Sequence, residues 1–300
     1  MQPVALVLGE SLVDAVVDGG AHPGGSAANV AVALARLGRP VRFGTSFADD
    51  ADGRLVREHL VGAGVELASD PGIVDRTSRA VARLRDDGSA DYAFDLDWRL
   101  GPVSLRAGER PVVVHVGSYG AVLSPGEAAV RREVLRWRES ATVSYDVNAR
   151  PSVTGVGADV VRRVEVLAGL ADVVKASDED LEVFWPDRSL DEAAAHLLGL
   201  GAAAVVVTRG AEGARWFVGD TWGDVAPLPV EVADTIGAGD TFAAAVVDGL
   251  WERDLLGGDR RDQLRGGGAE VWSGVLAWAA RVAAVTVSRP GADPPRRDEV

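Results

Sequence analysis

The residues able to do chemistry gather in two glycine-rich segments. The first is Asp-Thr-Ile-Gly-Ala-Gly-Asp-Thr-Phe at 234–242. Gly237, Ala238 and Gly239 are small and stand directly before a strongly apolar stretch of helical period. A glycine-rich turn at a helix start lets backbone N–H groups approach an anion, and the helix dipole adds to their field. Asp240 follows at once. A carboxylate beside an anion cradle is electrostatically odd unless it works as a base. It would take the proton of an attacking hydroxyl while the N–H groups hold a transferring phosphoryl group. Asp is equally a favoured helix N-cap, and spacing alone leaves both readings open. The second segment is Gly-Gly-Ser-Ala-Ala-Asn at 24–29, running into an apolar helix that stops before Gly38. Paired glycines admit a ligand to the backbone, and Asn29 carries both donors and an acceptor, as a hydroxyl-rich ligand requires. The plainer reading is a helix start capped by Ser26 or Asn29, with Gly38 as the C′ residue.

These segments need elements to position them. Short apolar runs at 4–8, 112–116, 142–147, 171–175 and 204–208 predict buried strands. Helical periodicity predicts helices at 30–37, 127–139, 158–170, 191–200, 240–251 and 270–287. Strands alternating with helices predict an α/β fold, a doubly wound and mostly parallel sheet flanked by helices. Residues 78–94 break the rhythm. They alternate polar and apolar, with Asp87-Gly88 as a hairpin signal, and 12–17 alternate more weakly. The expectation is a small antiparallel β lid, about 10–22 and 76–100, inserted in a single domain over 1–300. The Gly- and Arg-rich stretch 257–268 reads as a mobile surface loop, and 291–300 as a frayed tail.

Composition narrows the partners. The 300 residues are 47% hydrophobic, enough for a sizeable core. A net charge of −14 argues against nucleic acid or an anionic membrane surface. No uninterrupted apolar run approaches the roughly 18 residues needed to span a bilayer. If the ligand is an anion, the attracting field must be local. The absence of cysteine excludes disulfides and thiolate zinc sites. The first ten residues lack a basic region of the secretory type, so a cytoplasmic protein is expected. Lys175 is the sole lysine in an arginine-rich chain, at the end of a predicted strand.

Segments 24–38 and 234–242 resemble the two signatures of the PfkB, or ribokinase-like, carbohydrate kinases, in the family's order and separation. The resemblance extends over nearly the whole chain. Gly9-Glu10 with Asp14 is similar to the family's first strand and sugar-binding Asp. Asp50 and Gly53 fall in its G-x-D-x-x-G turn, with Ala48 in place of the first Gly. Asp146, Asn148 and Arg150 match its D-x-N-x-R segment, 207–213 its nucleotide-bordering turn, and Pro290-Gly291-Ala292 its closing motif.

What this resemblance implies is specific. Asp240 would be the base, and Gly237, Ala238 and Gly239 the anion hole. Asp14, Gly25, Asn29 and Arg150 would bind the sugar. Lys175, Thr208, Gly210 and Gly213 would border ATP. Mg²⁺ would bridge the phosphates, mostly through water. A monovalent cation, K⁺, would sit near Asp234, Ile236 and the loop around 288–292. The flap would close as a substrate lid, and family relatives often pair through it as homodimers. Two departures touch the metal: Ser177 and Asp180 replace the Asn and Glu of the family's K-x-N-x-x-E.

Gly-Gly-Ser-Ala-Ala-Asn-Val-Ala at 24–31 is similar to the fructokinase branch, which makes D-fructose the expected substrate. No basic residue in 24–30 awaits a phosphosugar. A 2-keto-3-deoxygluconate kinase shares the pattern and would need Arg83, Arg99 or Arg150 to face a carboxylate. Other sugar or nucleoside kinases fit less well. A non-catalytic sugar-binding regulator is the alternative of another class. A dinucleotide-dependent oxidoreductase is disfavoured, because Gly9 is followed by Glu-Ser-Leu and not by a G-x-G-x-x-G loop.

Overall fold

The computed structural model describes residues 1–16, 20–84 and 90–300. Its strands, in chain order, are β1 (Gln2–Leu8), β2 (Leu12–Val16), β3 (Ala21–Gly24), β4 (Val41–Gly44), β5 (Glu66–Leu67), β6 (Arg79–Leu84), β7 (Ala90–Asp95), β8 (Glu109–Gly117), β9 (Thr142–Asp146), β10 (Val173–Ser177), β11 (Ala204–Thr208), β12 (Ala214–Val218) and β13 (Thr221–Val225). Nine of them form one sheet in the order β13-β12-β11-β10-β9-β8-β1-β4-β5. Every pairing from β11 to β5 is parallel, and β12 and β13 add an antiparallel edge.

The parallel strands are covered on both faces, which is why they read as apolar runs and not as alternating patterns. Residues Val4 to Leu8 of β1 are fully buried. Ala5 and Val7 point into one core, packed by helices Ser26–Arg36, Ala238–Glu252 and Ala269–Val287. Leu6 and Leu8 point into the other, packed by Gly126–Trp137, Ala158–Leu170 and Leu190–Leu200. This is the two-residue alternation of a strand read from both sides.

Helix Ala158–Leu170 and strand Ala204–Thr208 stand where periodicity placed them. The expected strand 171–175 begins two residues late, at Val173. The helix expected at 30–37 begins a turn earlier, at Ser26. β4, β12, β13 and helix Ala51–Gly62 were not expected. Helix Ala269–Val287 corrects the reading of apolar length. Its 19 residues have a mean hydropathy of 1.2, long and apolar enough to cross a membrane. Glu270 and Arg281 interrupt its apolar run in the sequence. Here Trp272, Val275, Leu276, Ala279 and Val282 serve the core beside helix Ala238–Glu252.

The region expected to form the lid is a second sheet in the order β3-β2-β6-β7. β2–β3 and β6–β7 are antiparallel, as chain reversals require. β2 and β6 are not joined directly, and they run parallel. The Asp87-Gly88 turn lies outside the described residues. Leu12, Ala80 and Tyr119 form a small apolar joint between the lid and the main sheet, with Phe94 packed against it. Asp50 caps helix Ala51–Gly62 through Gly53 N–H and also accepts from Thr77 N–H and hydroxyl, which ties the lid's approach to that helix. A side chain at Gly53 would strike the Ala48 carbonyl, which accounts for glycine there.

Two expected loops are structured. Residues 257–268 are not a free surface loop: they hold helix Arg261–Arg265, with Leu264 fully buried and Arg261 paired to Asp172 at 2.6 Å. The tail 291–300 is not frayed. Arg297 donates to Leu37 carbonyl and pairs with buried Asp248. Both expectations weighed charge and glycine content and could not see distant acceptors.

Candidate active site

The carboxyl ends of parallel strands are where an open α/β sheet presents its ligand site. Here Glu10 follows β1, Ser118 and Tyr119 follow β8, and Asn148 and Arg150 follow β9. With the starts of helices Ser26–Arg36 and Ala238–Glu252, and with Leu12, Asp14, Ala80 and Phe94 of the lid, they line a cavity of about 600 Å³.

Asp240 is not a cap. Gly237 takes the cap position, left-handed at φ 74°, and helix Ala238–Glu252 carries no side-chain cap. A Cβ on Gly237 would lie 2.7 Å from that of Ala292. Asp240 sits one turn in, 7% exposed, on the cavity wall. Ser26 Oγ donates to its Oδ1 at 2.6 Å and Asn29 Nδ2 to its Oδ2 at 2.8 Å. Asn148 Nδ2 reaches Ser26 Oγ at 2.8 Å and Asp240 Oδ1 at 3.3 Å. Ser26 and Asn29 are therefore not caps either: Gly25 holds that place, and helix Ser26–Arg36 carries no side-chain cap. The C′ expectation for Gly38 fits its φ of 85° and its N–H bond to Ala35 carbonyl. Gly25 has φ 103°, and a Cβ there would come within 2.9 Å of the Glu10 carbonyl.

Three site residues were missed. Ser26 and Asn148 stood inside quoted motifs, but their role depends on Asp240 being close in space. Glu10 is 1% exposed, and its carboxylate accepts from Ser26 N–H at 3.0 Å and Gly120 N–H at 3.1 Å. It thereby fixes two helix starts at the cavity. Burial pushes its pKa up to about 7, against its own backbone N–H, and the charge of Asp240 adds to the rise. Asp14 opens to the cavity between enclosing walls. Desolvation raises its pKa and Arg150 opposes the rise. Arg150 and Gly25 line the same cavity.

The remaining expected residues lie beside it. Lys175 is buried and paired with Asp146, Nζ to both oxygens at 2.9 Å. Its Nζ lies 3.5 Å from where a Gly239 Cβ would be, so the ammonium faces the glycine turn. Burial lowers the affinity of Lys175 for its proton, but Asp146 and Asp180 together hold it above the ordinary value. Thr208 ends β11, and Gly210 and Gly213 turn the chain into β12 at φ 49° and 88°; none of the three lines the cavity. Asp234 accepts from Ile236 N–H at 3.0 Å and Gly291 N–H at 2.9 Å. These bonds, Ile236 first, hold its pKa below the usual value despite partial desolvation. Ile236 lines the cavity, with its side chain largely exposed.

Among the described residues a divalent metal finds no ready ligand set. Ser177 caps helix Asp178–Phe184, and Asp180 completes the capping box, its oxygens accepting from Ala149 N–H and Ser177 N–H at 2.7 Å each. Among the described residues no three acidic or histidine side chains are grouped to hold a metal.

The family model for pfkB family carbohydrate kinases matches residues 1–299. The chain belongs to this family. This kinase is 37% identical over 243 residues to a fructokinase of Rhizobium leguminosarum bv. trifolii, covering 78% of the chain and 73% of that relative. It is 29% identical to a probable fructokinase-2 of Arabidopsis thaliana, over 91% of the chain and 83% of the relative. A fructokinase from Xylella fastidiosa, solved with bound ATP, superposes with a TM-score of 0.80 at 25% identity, covering 97% of this chain and 93% of that one. A double mutant of a fructokinase from Vibrio cholerae O395, solved with fructose, ADP and a potassium ion, superposes at 0.77 with 26% identity, covering 97% and 94%.

Proposed function

We propose that this kinase transfers the γ-phosphoryl group of ATP to a hydroxyl of D-fructose. One observation carries the mechanism: Asp240 is buried on the cavity wall, gripped by Ser26, Asn29 and Asn148, and is not spent on capping. Three donors fix its direction without occupying every lone pair. A sugar hydroxyl in the cavity gives its proton to Asp240, its oxygen attacks the γ-phosphorus, and ADP leaves. Ala238 N–H already donates to Thr235 carbonyl at 3.2 Å, so the first-turn N–H groups of Gly239 and Asp240, which have no intrahelical acceptor, are the ones left to face the charge that develops on the phosphoryl oxygens. Asp14, Gly25, Asn29 and Arg150 orient the sugar. Lys175, held charged by Asp146, adds a positive field behind Gly239, and Thr208, Gly210 and Gly213 border the nucleotide. Mg²⁺ would arrive on the phosphates, held mostly through water. The same reading includes K⁺ beside Asp234 and Ile236, a homodimer through the lid and a cytoplasmic location.

ADP production with Mg·ATP and K⁺ across D-fructose, 2-keto-3-deoxygluconate, ribose, adenosine and fructose 6-phosphate tests the reading. Fructose is expected to give the highest kcat/KM. Preference for the keto acid would replace the substrate, keep the base and make Arg150 its carboxylate partner. Sugar binding without turnover of any member would overturn the catalytic assignment.

A further inference from the structure

Tyr119 combines three properties. Its side chain is 4% exposed, it lines the sugar cavity, and its hydroxyl oxygen is buried with no hydrogen-bond partner among the described residues. A buried hydroxyl without a partner is costly and rare, and it calls for an explanation. Tyr145 also has an unpartnered hydroxyl, but it lies away from the cavity lining. Of the two, only the Tyr119 hydroxyl belongs to a residue on the wall of the candidate sugar cavity.

The backbone around Tyr119 is tightly fixed. Ser118 before it has φ 53°, unusual for a residue with a side chain. Gly120 after it donates to Glu10 and accepts from the Trp98 indole at 2.9 Å. A Cβ on Gly120 would lie 2.2 Å from a Glu10 oxygen, so glycine is required at this close approach. The ring itself forms the apolar joint with Leu12 and Ala80 of the lid. Burial, and then the charges of Glu10 and Asp14, hold the phenol well above its ordinary pKa, so it remains a neutral O–H able to donate.

We infer that Tyr119 is a specificity-determining residue whose hydroxyl pairs with one hydroxyl of the bound sugar while its ring carries the lid. The ligand class is a polyhydroxylated monosaccharide, and the inference rests on the sugar reading above. A site built to bond a particular hydroxyl rejects the analogue lacking it far more strongly than an apolar wall would. The ring contact links recognition to closure, since the side chain that meets the sugar is the one the lid strands pack on.

The test is Tyr119→Phe, which keeps the ring and removes only the oxygen. Binding of fructose and of a series of monodeoxy analogues is measured by calorimetry without ATP, with the melting temperature of the free protein recorded alongside. In the wild type, one analogue is expected to bind about tenfold more weakly than fructose. In the variant, fructose is expected to weaken by a similar factor, and discrimination against that one analogue should vanish. The free variant should melt at or above the wild-type temperature, because an unpaired buried hydroxyl is gone. A variant that melts normally and keeps the wild-type ranking of all analogues overturns the inference. Catalysis enters none of these readouts. An inactive wild type that still discriminates would sink the kinase reading and leave Tyr119 standing.

Discussion

The sugar side and the nucleotide side of this reaction centre are held by different means. On the sugar side, side chains grip side chains across long stretches of chain: Ser26, Asn29 and Asn148 converge on Asp240 from two other segments. The result is a half-open cavity whose donors already point at the base. On the side proposed for the nucleotide, Thr208, Gly210 and Gly213 offer a strand end and a turn, outside that cavity. Asp180, which stands where the family's metal motif has Glu, is occupied by backbone N–H groups. Under the proposed function the sugar meets a prebuilt site, whereas ATP would bring its own charge and metal. Selectivity should therefore break when the first region is touched and only soften when the second is.

The largest break is expected from Asp240→Asn. The amide cannot take the attacking proton, so kcat should fall by roughly 10²–10⁴-fold. Fructose affinity should change by less than about tenfold, because the walls stay in place. Steady-state rates beside calorimetry check both. Unchanged turnover would remove Asp240 as the base.

That prediction turns on a point the sequence left open. Asp240 as base and Asp240 as cap have the same spacing, and only the position of Ser26, 214 residues away in the chain, separates them. Local pattern sufficed where local physics decides. Helix Ala158–Leu170 has its own apolar stripe, and Ala204–Thr208 is a run buried on both faces. It failed where a distant partner decides. Arg261 is ordered by Asp172, and Arg297 by Leu37 and Asp248, none of which a window of glycines and charges can show. Glu10 followed the first strand in plain view, but nothing in its neighbours announces that two helix N–H groups meet on its carboxylate.

Glu10 gives the second prediction, again on the sugar side. Its pKa is raised from 4.5 to about 7, chiefly by burial. A carboxyl raised in the folded state binds its proton more tightly there than in the unfolded chain. Its contribution to stability is full below about pH 4.5 and is lost as pH rises through about 7. The difference amounts to about 3 kcal/mol at most. Glu10→Gln cannot ionise, and its amide NH₂ faces Ser26 or Gly120 N–H, which lowers its stability by a constant amount. The wild-type advantage should be largest near pH 4.5 and shrink steadily toward pH 8. Urea midpoints of both proteins across that range measure it. A pH-independent gap would mean that Glu10 stays ionised throughout.

The smallest effect belongs to the nucleotide side. Thr208 Oγ1 donates to Ala176 carbonyl at 3.5 Å, a long bond linking the ends of β11 and β10. Thr208→Ala removes one neutral hydroxyl from a partly exposed rim. A neutral hydrogen bond is worth about 0.5–1.5 kcal/mol, so the KM for ATP should rise only about two- to tenfold. The fructose KM should stay within twofold, since no cavity residue moves. Gly213 cannot serve as this probe, because a Cβ there would lie 2.2 Å from the Val225 carbonyl and disturb the fold itself. If Thr208→Ala instead changes fructose binding as much as ATP binding, the two regions are coupled before any ligand arrives, and the contrast between a built sugar site and a ligand-completed nucleotide site does not hold.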